Sequence, residues 1–111
     1  MLLFEIPIDN KLIIELTING QRYEFPSRVI KKGKQDIYAE PIRINGKVLS
    51  FNTSENISVS LIMVRDGKSP MVWKGVAINS AYEKEGTFYR ITAGGEGFEV
   101  NRRGAFRLFV G

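Results

Sequence analysis
Three arginines crowd the end of this 111-residue chain. Arg102, Arg103 and Arg107 stand in Asn101-Arg102-Arg103-Gly104-Ala105-Phe106-Arg107, with no acidic residue after Glu99. Residues 1–99 hold 13 of the 16 basic and all 12 acidic side chains, a net of +1, so +3 of the overall +4 lies beyond them. A guanidinium is a planar fork of donors that fits a phosphate, or the O6/N7 edge of guanine, with two parallel bonds. In an extended chain Arg103 and Arg107 point the same way, about 13 Å apart at ~3.3 Å per residue. That is too far for one phosphate. Gly104 lets the chain wrap and bring the two forks closer, which suits a ligand with several anionic and guanine edges.

Other clusters have plainer readings beside their functional ones. Arg28, Lys31, Lys32 and Lys34 form a basic run with no acid between Ser27 and Gln35. It could serve as a nucleic-acid or acidic-protein patch. The expected use is a solvated loop whose charges discourage edge-to-edge strand pairing. Gly94-Gly95-Glu96-Gly97 could be a backbone nest for phosphate, but no helix follows it and Glu96 interrupts it, so a hairpin loop is expected. Glu83 with Glu85, or Glu96 with Glu99, could be drawn as acid and base. Nothing in the sequence buries them or supplies a nucleophile, and no enzyme is expected. Trp73, Tyr82, Phe88, Tyr89 and Phe98 could stack on bases, but most fall in period-two stretches where core packing is the ordinary use of an aromatic.

The chain has neither cysteine nor histidine. This removes disulfides, thiolate zinc sites, the commonest general base and the commonest metal ligand. The length suits one domain, and 43% hydrophobic with 25% charged residues are the fractions of an ordinary globular protein. The N-terminus becomes charged too early for a signal peptide, and no apolar run approaches the ~20 residues of a membrane span. A soluble, cytoplasmic protein without membrane insertion is expected. No cofactor is expected.

The elements that must position these groups are strands. Leu12, Ile14, Leu16 and Ile18 alternate with polar residues, interrupted by Ile13, and Asn19-Gly20 then signals a two-residue hairpin. The return strand carries Tyr23 and Phe25 on one face, and Pro26 marks an edge or a bulge. Asn45-Gly46 is expected to join strands over 37–44 and 47–51. Asp66-Gly67 should follow a strand carrying Ile57, Val59, Leu61 and Met63. A single strand is expected over 71–78, with Val72, Val76 and Ile78 in phase, and another over 87–92 after a Glu85-Gly86 turn. Residues 80–85 offer at most one helical turn. Six or seven short strands in this length predict a small antiparallel all-β barrel or rolled sheet. Its end is expected near the glycines at 94–97.

In this order the residues resemble a known family. Arg-Xaa-Xaa-Xaa-Arg, filled by Arg103 to Arg107 and preceded by Arg102, is similar to the arginine motif of PilZ domains, bacterial receptors for cyclic di-GMP. The upstream pattern resembles the accessory N-terminal domain of the flagellar-brake (YcgR-like) branch: Asn19-Gly20, Tyr23, Val29, Ile37-Tyr38-Ala39-Glu40-Pro41, Asn45-Gly46, the stretch 57–64, Asp66-Gly67 and the stretch 72–76. The resemblance implies a split β-barrel over 1–99, similar in outline to flavin-binding split barrels, and a connector over 100–111. It implies that Arg102, Arg103 and Arg107 hold phosphates and guanines of cyclic di-GMP. The expected partners are that ligand, a PilZ barrel in cis and flagellar motor proteins. The family's second motif, Asp/Asn-Xaa-Ser-Xaa-Xaa-Gly, is not among the 111 residues, and Asn101 stands where glutamine is frequent. A small nucleic-acid-binding barrel using the run from Arg28 to Lys34 is the alternative, and a flavin enzyme ranks behind it.

Overall fold
Alternation of apolar and polar residues makes the first hairpin. In the computed structural model, which describes residues 1–50 and 57–100, β1 spans Lys11–Ile18 and β2 spans Gln21–Lys32. Leu12, Ile14 and Leu16 are buried. Asn19 and Gly20 both take positive φ, 51° and 82°, the turn whose twist matches that of the flanking strands. The register places Leu12 opposite Ser27, Ile14 opposite Phe25 and Leu16 opposite Tyr23.

The sequence read Pro26 as an edge or a bulge, and both occur along β2. Pro26 lies opposite Ile13. The second neighbour of β2, the strand β3 (Ile37–Ala39), pairs with it only from Val29 onward. The proline therefore sits where β2 has one partner strand and its missing N–H breaks no second ladder. Between Val29 and Lys31 the register shifts, and such a bulge bends a strand. β2 thus belongs to both halves of the sheet.

The remaining strands are β4 (Arg43–Ile44), β5 (Lys47–Val48), β6 (Ile57–Met63), β7 (Met71–Lys74), β8 (Ala77–Glu83), β9 (Gly86–Thr92) and β10 (Phe98–Glu99). All pairings among the described residues are antiparallel. The main sheet runs β10-β7-β6-β1-β2-β3-β9-β8, and β4 and β5 form a separate hairpin.

Chain connectivity shows that this sheet is rolled. In the strand order β7 and β8 stand six steps apart, about 29 Å on a flat sheet at ~4.8 Å per step. Only Gly75 and Val76 separate them in sequence, a reach of at most about 11 Å. The sheet must curl until its two ends approach. Both halves accordingly feed one core, in which Ile14, Leu61 and Trp73 from one side meet Ile37, Tyr89 and Ile91 from the other. The all-β, antiparallel architecture is the one expected. Among the described residues no ladder joins β8 to β10, so hydrogen bonding does not close the roll.

Several boundaries differ from the sequence reading. Residues 71–78 are two strands, broken where Gly75 takes φ of 64°. The stretch 37–44 splits into β3 and β4 around Pro41, which has no N–H to give a ladder. Asn45 and Gly46 (φ 53° and 78°) make the expected tight turn, between strands of only two residues each, and position 51 lies outside the described residues. Residues 80–83 continue β8 rather than forming a helical turn, and the following turn is Lys84-Glu85, with Glu83 opposite Gly86. Asp66-Gly67 sits in a longer loop between β6 and β7. The glycines at 94–97 do not end the sheet, because β10 follows them and pairs with β7.

Candidate anion-binding surfaces
Arg102, Arg103 and Arg107 lie outside the described residues. The structure does show what leads up to them. Phe98 and Glu99 pair with Val72 and Met71, and the Val100 N–H donates to the Pro70 carbonyl at 3.1 Å. Arg65 binds the Ser69 carbonyl through Nε at 2.8 Å and reaches Glu99 through Nη2 at 3.1 Å. The residues just before the arginines are thus tied to the β7 edge by backbone and side chain. Behind this edge Gly97 lies against the Trp73 ring, and its N–H donates to the Met1 carbonyl at 2.8 Å.

The basic run is strand for most of its length, not loop. Arg28, Lys31 and Lys32 belong to β2. Arg28 pairs with Glu40 at 2.6 Å and Lys31 with Glu83 at 3.2 Å. The Lys31 ammonium also lies 4.8 Å from the centre of the Tyr38 ring. The hydrogen bond that Lys31 donates to Glu83 raises the Lys31 pKa above its usual range. Lys32 and Lys34 stay exposed. Acids from elsewhere in the fold thus neutralise half the run, and the linear sequence gave no sign of those partners.

The candidate acid–base pairs are divided among ion pairs. Glu83 engages Lys31, Glu99 engages Arg65, and Glu96 lies 3.7 Å from the N-terminal amine. No group of three or more metal-ligating side chains gathers among the described residues, and no described helix is long and apolar enough to cross a membrane. Of the aromatics, Trp73 and Tyr89 are core. Burial raises the Tyr89 pKa, and its hydroxyl donates to the Leu49 carbonyl, fixing the segment after β5 to the core. Tyr82 and Phe98 are surface residues, Tyr82 80% exposed, against the expectation that packing would claim such aromatics.

One surface feature was not foreseen. An open groove of about 620 Å³ runs along β1 and β2, lined among others by Lys11, Ile13, Pro26, Arg28, Glu40 and Val64. Lys11 and Arg28 are directly opposite in register, and so are Ile13 and Pro26. The Asn10 amide donates to the Lys11 and Val64 carbonyls at 3.0 and 3.1 Å, clamping the end of the groove. A like-charged cross-strand pair appears only once the register is known, since the two cations are 17 positions apart in the chain.

Compared with protein-family models, with curated proteins and with solved structures, the chain finds no match.

Proposed function
We propose that this chain is the non-enzymatic N-terminal regulatory module of a PilZ-type cyclic di-GMP effector that controls flagellar motility. In this reading residues 1–99 are the flagellar-brake (YcgR-like) accessory domain, a split barrel similar in outline to flavin-binding ones. Residues 100–111 are the connector on which Arg102, Arg103 and Arg107 take the phosphates and guanines of the ligand. Its partners are cyclic di-GMP, a PilZ barrel in cis and motor proteins, and its compartment is the cytoplasm.

The observation that carries the proposal is the placement of Arg-Xaa-Xaa-Xaa-Arg directly after a rolled all-β domain whose last strand is tied to a sheet edge. A segment leaving an anchored edge can report ligand capture to the sheet, because ordering it changes the load on β10 and β7. The nucleic-acid alternative draws less support, since Arg28 and Lys31 are already paired with acids.

The gene supplies one test. The proposal expects an in-frame PilZ barrel bearing Asp/Asn-Xaa-Ser-Xaa-Xaa-Gly, and a reading frame without one would remove its basis. Retention on single-stranded RNA that falls steeply with salt would favour the nucleic-acid barrel instead.

A further inference from the structure
The outer face of the first hairpin is sorted into rows. Alternation puts Lys11, Ile13 and Glu15 of β1 on the side opposite the core residues Leu12, Ile14 and Leu16. Across the ladder they meet Arg28, Pro26 and Glu24. The rows run cation–cation, apolar–apolar, acid–acid, spaced about 7 Å apart at ~3.4 Å per residue. The apolar row continues across β6 and β7 through Ile62 and Val72, both buried yet outside the core cluster.

Like charges directly opposite each other in a ladder repel, and a sheet that keeps such a pair gains when an anion bridges it. The Lys11 ammonium, unlike its carbonyl, has no hydrogen-bond or ion-pair partner among the described residues. Arg28 gives only Nη2 to Glu40, which leaves the rest of its fork available. Among the described residues that line the groove Glu40 is the one acid, so two cations face one carboxylate. The frame is rigid at this point. The ladder, the Asn10 clamp and the bond from the Ser27 hydroxyl to the Glu40 carbonyl at 2.7 Å hold its walls.

We infer that this groove is a binding site for a small amphipathic organic anion. Its carboxylate, phosphate or sulfonate head bridges Lys11 and Arg28, and its flat apolar body lies on Ile13 and Pro26. Glu15 and Glu24 set the far limit. A second anionic group on the ligand would meet that acid row about 14 Å from the first, four residues along the strand at ~3.4 Å each, and be repelled. The site therefore selects ligands with one anionic end, unlike the arginine segment, which suits a ligand with several. The inference does not rest on the proposed role of the arginines and can fail without it.

Titrations followed by amide proton–nitrogen correlation spectra of the 111-residue chain test it. Three probes separate the two parts of the site: sodium naphthoate (head and body), naphthylmethanol (body alone) and inorganic phosphate (head alone). Naphthoate is expected to shift amides at Lys11, Ser27, Arg28, Glu40 and Val64 and to bind at least about tenfold more tightly than either other probe. Lys11→Gln with Arg28→Gln should weaken naphthoate about tenfold, whereas Glu40→Gln, which frees the Arg28 fork, should tighten it about threefold. Lys11→Gln alone breaks no bond of the fold and should still weaken binding about threefold, which keeps the test valid if the double variant misfolds. Shifts centred elsewhere, equal binding of the alcohol or of phosphate, or indifference to Lys11→Gln would each overturn the assignment.

Discussion
At the scale of single residues, two positions carry unusual constraints. A Cβ on Gly97 would collide with Trp73 Cε2 and come 2.7 Å from Cζ2. The ring cannot retreat, because it is 2% exposed and packed in the core. Gly97→Ala should therefore cost about 1–3 kcal/mol, the range for overpacking a filled core. Trp73 is the only tryptophan, so its fluorescence in a denaturant titration reads both the lost stability and the disturbed ring. An unchanged midpoint and emission would show that the loop simply moves away. The second position is Glu24, opposite Glu15. Partial burial first, and then the Glu15 charge, raise its pKa above the ordinary 4.5. A carboxyl with a raised folded-state pKa binds its proton more tightly when folded, so it lowers stability as pH climbs past the unfolded value. Glu24→Gln should thus stabilise the protein at neutral pH, by at most about 0.5 kcal/mol because solvent screens the pair. The gain should vanish below about pH 4, where the Glu24 carboxyl is protonated in the folded and unfolded states alike. Denaturation midpoints measured at the two pH values check the sign.

At the scale of elements, legibility followed the regularity of the pattern. β1, its Asn-Gly turn and the inward residues of β6 were readable because a half-buried strand repeats with period two. Residues 71–78 were misread for the same reason. Val72, Val76 and Ile78 share a phase, but the core takes Met71 and Trp73 from β7 and then Val76 and Ile78 from β8. The buried phase jumps from odd to even positions, and Gly75 marks the jump. Pairs such as Arg28–Glu40 and Lys31–Glu83 were invisible because they depend on register and on strands distant in sequence. The candidate arginines were legible from charge alone, but the groove was not, since it exists only when β1 and β2 are aligned. If Gly75 is the pivot between the two halves of the roll, its positive φ must matter more than the space around it, which is open. Gly75→Ala should cost about 1–2 kcal/mol through left-handed strain. Gly94→Ala, also in open space but without a positive φ, should stay within about 0.5 kcal/mol. Equal effects of the two substitutions in chemical denaturation would refute the pivot.

At the scale of the whole molecule, the PilZ reading raises the question of how much of a cyclic di-GMP site one rolled sheet and its arginine segment would supply. A micromolar receptor needs about −8 kcal/mol of binding free energy. Charge-assisted hydrogen bonds contribute about 1.5–3 kcal/mol each, so on the PilZ reading a site without the two or three that a PilZ barrel would add falls toward millimolar. Fixing backbone on binding costs a further ~1–2 kcal/mol per residue ordered, a cost that contacts from a PilZ barrel in cis would offset. The 111-residue chain should therefore bind cyclic di-GMP weakly although it carries Arg102, Arg103 and Arg107. Extension through an in-frame PilZ barrel should restore micromolar binding, and Arg103→Ala with Arg107→Ala should abolish it. Titration calorimetry on the three proteins decides between specific outcomes. Micromolar binding by the short chain would mean that the arginines and the sheet form a sufficient site and that the half-site reasoning is wrong. Failure of the extended protein to bind, or binding that survives loss of both arginines, would remove the PilZ reading itself. The anion groove on β1 and β2 would be untouched by either result, because its cations come from the hairpin and not from the arginine segment.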